Sequence, residues 1–417
     1  APVEPDAAPP EPDAAPPPEG PAFYPANRLV SPITPHVVAN LEAIRDRAQR
    51  ADDVFAKVGA SSTVSTSFMR CFAGEHVDLA GDDALQTTID HFLGGDAGGA
   101  DPYTRDSEAA VVGWSARNVI DGDPSALEIE LGAINPRFAL VMYGTNDIQN
   151  RNIDRYADAL LTLTDQLIAF GTIPILSSIM PRDDDAEADL LVPAYNAVVR
   201  GVAQARQVPF VDLHQALLPL PDHGLGPDRL HSSAYTTEAG VRPCVFTDDG
   251  LQHGYNWRNL LSITALHLLV ETVILGGEAP DPPQPPRDYA GGPDDPIRIT
   301  ALPFTDLRDT TASPFRNLDA YPGCEADQDE SGPEYVYRLD LARPTTIRAY
   351  VMDRGAVDID VHLMGDPTDA ATCLDRAHTG IIASLEAGTW YFVLDTFVSA
   401  ANGELPGEYL FVVVEER

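Results

Sequence analysis

Four short segments carry residues suited to acyl-transfer chemistry. They are Gly59-Ala60-Ser61-Ser62-Thr63, Val112-Gly113-Trp114-Ser115, Gly144-Thr145-Asn146-Asp147 and Asp228-Arg229-Leu230-His231. Ser61 offers a hydroxyl nucleophile, and His231 offers a base. Asp228 lies three residues before His231, so on one turn its carboxylate can meet the imidazole, fix its tautomer and stabilise the cation formed during catalysis. The backbone N–H groups of Ser61 and Gly113 and the side-chain amide of Asn146 are three donors for an oxyanion. A glycine at 113 lets its N–H approach a substrate with no Cβ in the way. Each residue also has a plainer reading: Ser61 or Asn146 as a helix cap, Gly113 as a turn glycine. The weight lies in their order and combination. Two histidines compete for the role of base, His214 two residues after Asp212 and His253 four after Asp249, but Asp228/His231 is the preferred pair.

These segments need a scaffold that points them at one place. Apolar runs at 54–58, 109–112, 138–143, 173–179 and 208–213 predict strands, and helical periods at 153–170, 191–205 and 259–275 predict helices between and after them. The run 138–143 is continuously apolar, as a central parallel strand covered on both faces requires. Alternation of this kind predicts a doubly wound α/β fold. In such a sheet, ligands sit beyond the carboxyl ends of the strands, where Ser61, Gly113 and Asn146 fall. Ser61 would also stand at the positive end of a helix starting at 62.

The predicted organisation is a Pro-rich linker at 1–20, an α/β domain at 21–277, a second linker at 278–296 and an all-β domain at 297–417. Period-two alternation at 335–341, 346–352, 356–364, 380–385, 389–395 and 409–415 predicts an antiparallel β-sandwich for the last part. The acidic set Asp353, Asp358 and Asp360 offers the hard oxygen ligands that calcium takes, so a structural calcium site in this domain is one expectation. A solvated acidic face is the plainer one.

Acidic residues number 64 against 27 basic, a net charge of −37. Such a surface repels nucleic acid and anionic lipid headgroups. The apolar stretch 260–275 contains His267 and Glu271 and is short for a bilayer, so no transmembrane segment is expected. Four cysteines and no CxxC pair argue against a zinc or thioredoxin-like site. Pairing within domains gives Cys71–Cys244 and Cys324–Cys373; four buried free thiols are the alternative. The chain starts at Ala1 without a signal peptide, as a mature or trimmed form would, and its acidic Pro-rich start suits a tether. The expectation is a secreted or envelope-attached bacterial protein, lipoprotein anchoring being one form of attachment.

The four segments resemble the SGNH, or GDSL-like, hydrolase superfamily over about residues 50–275. Gly59-Ala60-Ser61-Ser62-Thr63 is similar to its Gly-Asp-Ser-x-Thr block, Gly113 to the second-block glycine, Asn146 to the third-block asparagine, and Asp228/His231 to the fifth-block Asp-x-x-His. The resemblance implies a flavodoxin-like α/β fold with Ser61 as nucleophile, His231 as base and Asp228 as its partner. It implies Ser61 N–H, Gly113 N–H and Asn146 as the oxyanion hole. One departure stands out: Ala60 occupies the place of the family's aspartate. The segment 243–256, with Cys244, looks like an insertion before the closing helix. Within the last part, Val357-Asp358-Ile359-Asp360-Val361 and Gly388-Thr389-Trp390-Tyr391 resemble bacterial pre-peptidase C-terminal domains, which are accessory modules.

The resulting expectation is an exported serine carboxylester hydrolase that needs no cofactor. It would cleave small acyl esters, acetyl or other short acyl groups on carbohydrate among them, through an acyl-enzyme. Its rivals are a lipase or phospholipase-type esterase, and a degenerate hydrolase that binds glycan or protein.

Overall fold

A computed structural model describes residues 19–416. The expected linker at 1–20 lies almost wholly outside the described residues. The α/β part is built on four parallel strands, β1 (Ala51–Gly59), β2 (Pro136–Met142), β3 (Ile173–Ser177) and β4 (Phe210–Val211), in the spatial order β1-β2-β3-β4. A single parallel bridge joins Ala110 to Gly59 on the outer side of β1. The strand expected at 109–112 is therefore reduced to one bridge. Its carbonyl at Ala109 accepts from Gly59 N, Val111 N donates to Gly59 O, and the chain then leaves for the Gly113 turn. Counting that bridge as a strand, the chain runs outward from β1 in one direction and returns past it to β2. The carboxyl ends of β1 and β2 thus flank the switch point of a doubly wound sheet.

Helices cover the sheet: α1 (Pro35–Arg45), α2 (Ser61–Val64), α3 (Ala84–Leu93), α4 (Ala116–Ile120), α5 (Ala126–Ile134), α6 (Ile153–Phe170), α7 (Ala186–Asp189), α8 (Val192–Arg206), α9 (Leu213–Leu217) and α10 (Gly254–Leu269). Local chemistry sets their ends. The Asn152 side chain accepts from Arg155 N at 2.9 Å to start α6, and Gly171 at φ +87° ends it. Tyr156, Leu160, Leu163 and Leu167 of α6 are buried along one face. β2 is buried at every position, as its unbroken apolar run requires. A small hairpin, β5 (Thr236–Thr237) and β6 (Gly240–Val241), follows α9.

The C-terminal part forms two further sheets. One has the order β13-β10-β17-β8, from β8 (Phe304–Asp309), β10 (Thr345–Asp353), β13 (Gly380–Leu385) and β17 (Glu408–Glu415), all antiparallel. The other has the order β12-β11-β14-β9-β7, from β7 (Ile297–Ile299), β9 (Tyr335–Leu341), β11 (Ile359–Met364), β12 (Cys373–Ala377) and β14 (Gly388–Thr396). Its β7–β9 pair is parallel and the rest antiparallel. A second small hairpin joins β15 (Val398–Ser399) and β16 (Gly403–Glu404). Side chains from both larger sheets, Ile347 and Phe411 from one and Val361 and Phe392 from the other, share one apolar cluster.

β17 departs from simple alternation. Tyr409, Phe411 and Val413 face the C-terminal cluster, whereas Leu410, Val412 and Val414 join the core of the α/β part. The run 409–414 is apolar throughout because both faces are covered. The contact is close: a Cβ on Gly201 of α8 would lie 2.8 Å from Leu410 Cδ1 and 3.1 Å from Thr305 Cβ. Arg206 pairs with Asp165 at 2.7 Å and with Glu408 at 3.1 Å across the same seam. Gly201→Val is expected to cost about 1–3 kcal/mol in denaturant unfolding, because the sheet must move off the helix. An unchanged midpoint would contradict this packing. The segment 278–296 is also tied back, with Asp281 accepting from Ile33 N at 2.8 Å and Gly20 N donating to Gln284 O at 2.8 Å.

Two disulfides form, Cys71–Cys244 and Cys324–Cys373. No helix among the described residues is long and apolar enough to cross a membrane.

Candidate active site

The chain after β1 folds back on itself at Gly59. A Cβ there would meet Thr63 Oγ1 at 2.3 Å and Met142 O at 2.8 Å, so only glycine fits the turn. Ser61 opens α2, where Thr63 N and Val64 N donate to Ala60 O, and Ser65 N to Ser61 O. Its Oγ lies 2.8 Å from His231 Nε2. On the other side of the ring, His231 Nδ1 lies 2.7 Å from Asp228 Oδ2. Asp228 Oδ1 accepts from the backbone N–H groups of Leu230 at 3.1 Å and His231 at 3.0 Å. Arg229, at φ +57°, closes the tight turn that permits this, and Gly226 N bonds His231 O at 2.7 Å. Partial burial acts to raise the Asp228 carboxyl, but the hydrogen bonds from the His231 ring and backbone and from Leu230 N outweigh it. Its pKa lies below the ordinary carboxylate value. An ionised Asp228 holding Nδ1–H leaves Nε2 free to take the Ser61 proton.

Gly113 is exposed and adopts φ +80°, a conformation that favours glycine. Asn146 Nδ2 donates to Trp114 O at 2.8 Å. That bond ties the loop of Gly113 to the end of β2 and uses one of the two amide hydrogens, leaving the other to donate elsewhere.

Four further residues, none assigned a role from the sequence, support these loops. Asp147, buried between these loops, accepts from Ala116 N at 3.0 Å with one oxygen and from Gly144 N at 3.0 Å with the other. Burial pushes its carboxyl up to about 6, against the pull of those two donors. Asp147→Asn turns one acceptor into a donor facing a backbone N–H. It is expected to cost about 1–3 kcal/mol of stability and to lower hydrolysis by loosening both loops; a variant with wild-type denaturation and rate would remove Asp147 from this role. Tyr143 Oη donates to Ala109 O at 3.1 Å, and Tyr156 Oη to Tyr143 O at 2.9 Å. Arg258 of α10 is fully buried behind α2. It bonds Ser62 O and, at 2.8 Å, Thr63 Oγ1, and lies 3.7 Å from the Phe68 ring centroid. Burial pushes its pKa down to about 10. This cation braces the turn that carries Ala60 and Ser61.

The competing histidines are placed otherwise. The Asp212 carboxylate accepts from Ser178 Oγ, Gln215 N and Arg200 Nη2, the last at 2.7 Å. His253 Nδ1 lies 3.0 Å from Ser233 Oγ, and burial lowers its pKa. The segment around Cys244 reaches the chain beyond Ser61: Asn259 accepts from Met69 N at 2.9 Å and donates to Ser67 O and Pro243 O. Of the expected acidic set, Asp353 Oδ2 accepts from Ile359 N at 2.8 Å, while Asp358 and Asp360 gather with His378.

The family model of the GDSL-like Lipase/Acylhydrolase family matches residues 73–238. The matched stretch includes Gly113, Asn146, Asp228 and His231 and starts after Ser61. Members of that family are ester hydrolases. A search of curated proteins found no match. Among solved structures, similar chains include an acetyl xylan esterase from Geobacillus stearothermophilus, at 16% identity and a TM-score of 0.34, covering 51% of this chain and 93% of that one. Another is a GDSL-like lipase from Bacteroides thetaiotaomicron, at 17% identity and a TM-score of 0.31, covering 55% and 96%.

Proposed function

We propose that the protein is a serine carboxylester hydrolase. The carrying observation is the continuous relay from Ser61 Oγ through His231 to Asp228, with links of 2.8 and 2.7 Å. Ser61 attacks the ester carbonyl as His231 takes its proton; the oxyanion is met by Ser61 N–H, Gly113 N–H and Asn146. The protonated His231 then gives its proton to the leaving alcohol, and water hydrolyses the acyl-enzyme by the same route reversed. The substrate class is a small acyl ester, including short acyl groups on carbohydrate. A net charge of −37 disfavours a site that works on anionic bilayers. Two disulfides suit an oxidising compartment, and we place the protein outside the cytoplasm with the C-terminal sheets as an accessory sandwich module.

Hydrolysis of p-nitrophenyl acetate, butyrate and octanoate tests the substrate class. The rate is expected to be highest for acetate and lowest for octanoate. A maximum at octanoate, rising further on dispersed lipid, would favour a lipase instead.

A further inference from the structure

Where the C-terminal sheets approach the start of α6, acidic groups outnumber the cations beside them. Asp358 precedes β11, Asp360 lies in it, and His378 occupies the turn from β12 to β13. His378 Nδ1 is 3.0 Å from Asp358 Oδ1 and 3.3 Å from Asp360 Oδ1. One ligand atom from each of the three lies within 4.8 Å of the others. Asp360 is only 1% exposed. Its Oδ2 pairs with Arg376, but its buried Oδ1 receives no hydrogen bond. Glu330, fully buried, meets the same guanidinium at 3.4 Å through Oε1, and its Oε2 has no partner. Asp353 and Asp154 stand near enough for His378 to draw their carboxyls down, against the burial that raises both. A buried carboxylate oxygen without a donor loses its hydration and gains nothing in return, so such an oxygen calls for a cation.

We propose that Asp358, Asp360 and His378 form a binding site for a zinc-class divalent cation, taken by one imidazole nitrogen and two carboxylate oxygens. Ligands about 2.0–2.2 Å from a shared ion, at tetrahedral to right-angled geometry, stand about 3.0–3.5 Å apart. Both His378 distances already fall in that range. The nitrogen ligand separates the site from calcium, which takes oxygens. The His378 side chain is 60% exposed and Asp358 29%, so the ion has a path from solvent and room for water as a fourth ligand. Glu330 and Arg376 stand behind Asp360 and fix its orientation, as outer partners of metal ligands do. The site joins two segments of the C-terminal sheets, the start of β11 and the β12–β13 turn, and a bound ion would hold them together.

The test is calorimetric titration of the chelator-treated full chain with zinc chloride, with metal content measured after desalting, and calcium chloride in parallel. One zinc equivalent is expected in the parent. His378→Gln and Asp358→Asn, both at solvent-facing positions, should weaken that equivalent by at least about tenfold while leaving the far-ultraviolet spectrum unchanged. The parent should also unfold at a higher temperature with zinc, and His378→Gln should not gain that shift. No zinc uptake by the parent, uptake undiminished in both variants, or calcium binding more tightly than zinc would overturn the assignment.

Discussion

Ser61→Ala should lower ester hydrolysis by about 10⁴-fold or more while the fold is retained. The size follows from what the hydroxyl does in this geometry. Its Oγ lies 2.8 Å from His231 Nε2, and in the proposed mechanism the relay to Asp228 moves its proton. An alanine leaves the donors in place but gives the base nothing to activate. Water could enter the gap, so a residual rate above the uncatalysed one is expected from the remaining oxyanion donors. The side chain is small and partly exposed, so unfolding does not supply an alternative cause. Steady-state rates on p-nitrophenyl acetate, with circular dichroism as control, measure the effect. A variant that keeps a tenth or more of the parent rate would remove Ser61 from the nucleophile role.

Asn146→Ala should lower kcat by about 10²–10³-fold, equivalent to roughly 3–4 kcal/mol of transition-state stabilisation. Two losses combine. In the proposed mechanism the amide hydrogen not engaged by Trp114 donates to the oxyanion, and its removal costs most in the transition state, where the charge develops. The engaged hydrogen holds Trp114 O at 2.8 Å, so the loop with Gly113 loses an anchor as well. Asn146→Asp removes the same two donors and adds negative charge beside the oxyanion, so it should be at least as damaging as alanine. If KM rose while kcat stayed unchanged in Asn146→Ala, the residue would serve substrate binding rather than the oxyanion.

Ser61, Gly113 and Asn146 were legible as candidates because each follows an apolar run and stands at or beside a turn glycine. Gly59, Gly113 and Gly144 announce the three loops, and the spacing of Asp228 and His231 fits a single turn. What escaped was held by partners that leave no periodic trace. Asp147 bonds backbone N–H groups of residues 116 and 144, and Arg258 bonds a carbonyl at 62 from nearly two hundred residues away. The α10 helix begins at Gly254 rather than 259, because a glycine can pack where a Cβ would lie 2.5 Å from Gly224 O. The run 109–112 has strand-like composition, yet one bridge is all the sheet edge gives it before the chain turns away. His378 stands three residues after Asp375, the spacing that singled out His231, but it lies in the all-β part, away from the parallel-strand ends; the β12–β13 turn carries it to Asp358 and Asp360. In β17 the second apolar face is explained only by α8, an element two hundred residues earlier.

The central claim is that Ser61 is an activated nucleophile. Incubation with a fluorophosphonate, followed by intact-mass measurement and peptide mapping, addresses it without reference to any substrate. The expected result is one adduct per chain, located on Ser61 and abolished by His231→Ala with the fold intact. An unmodified chain, or an adduct on another residue while Ser61 stays free, would contradict the account.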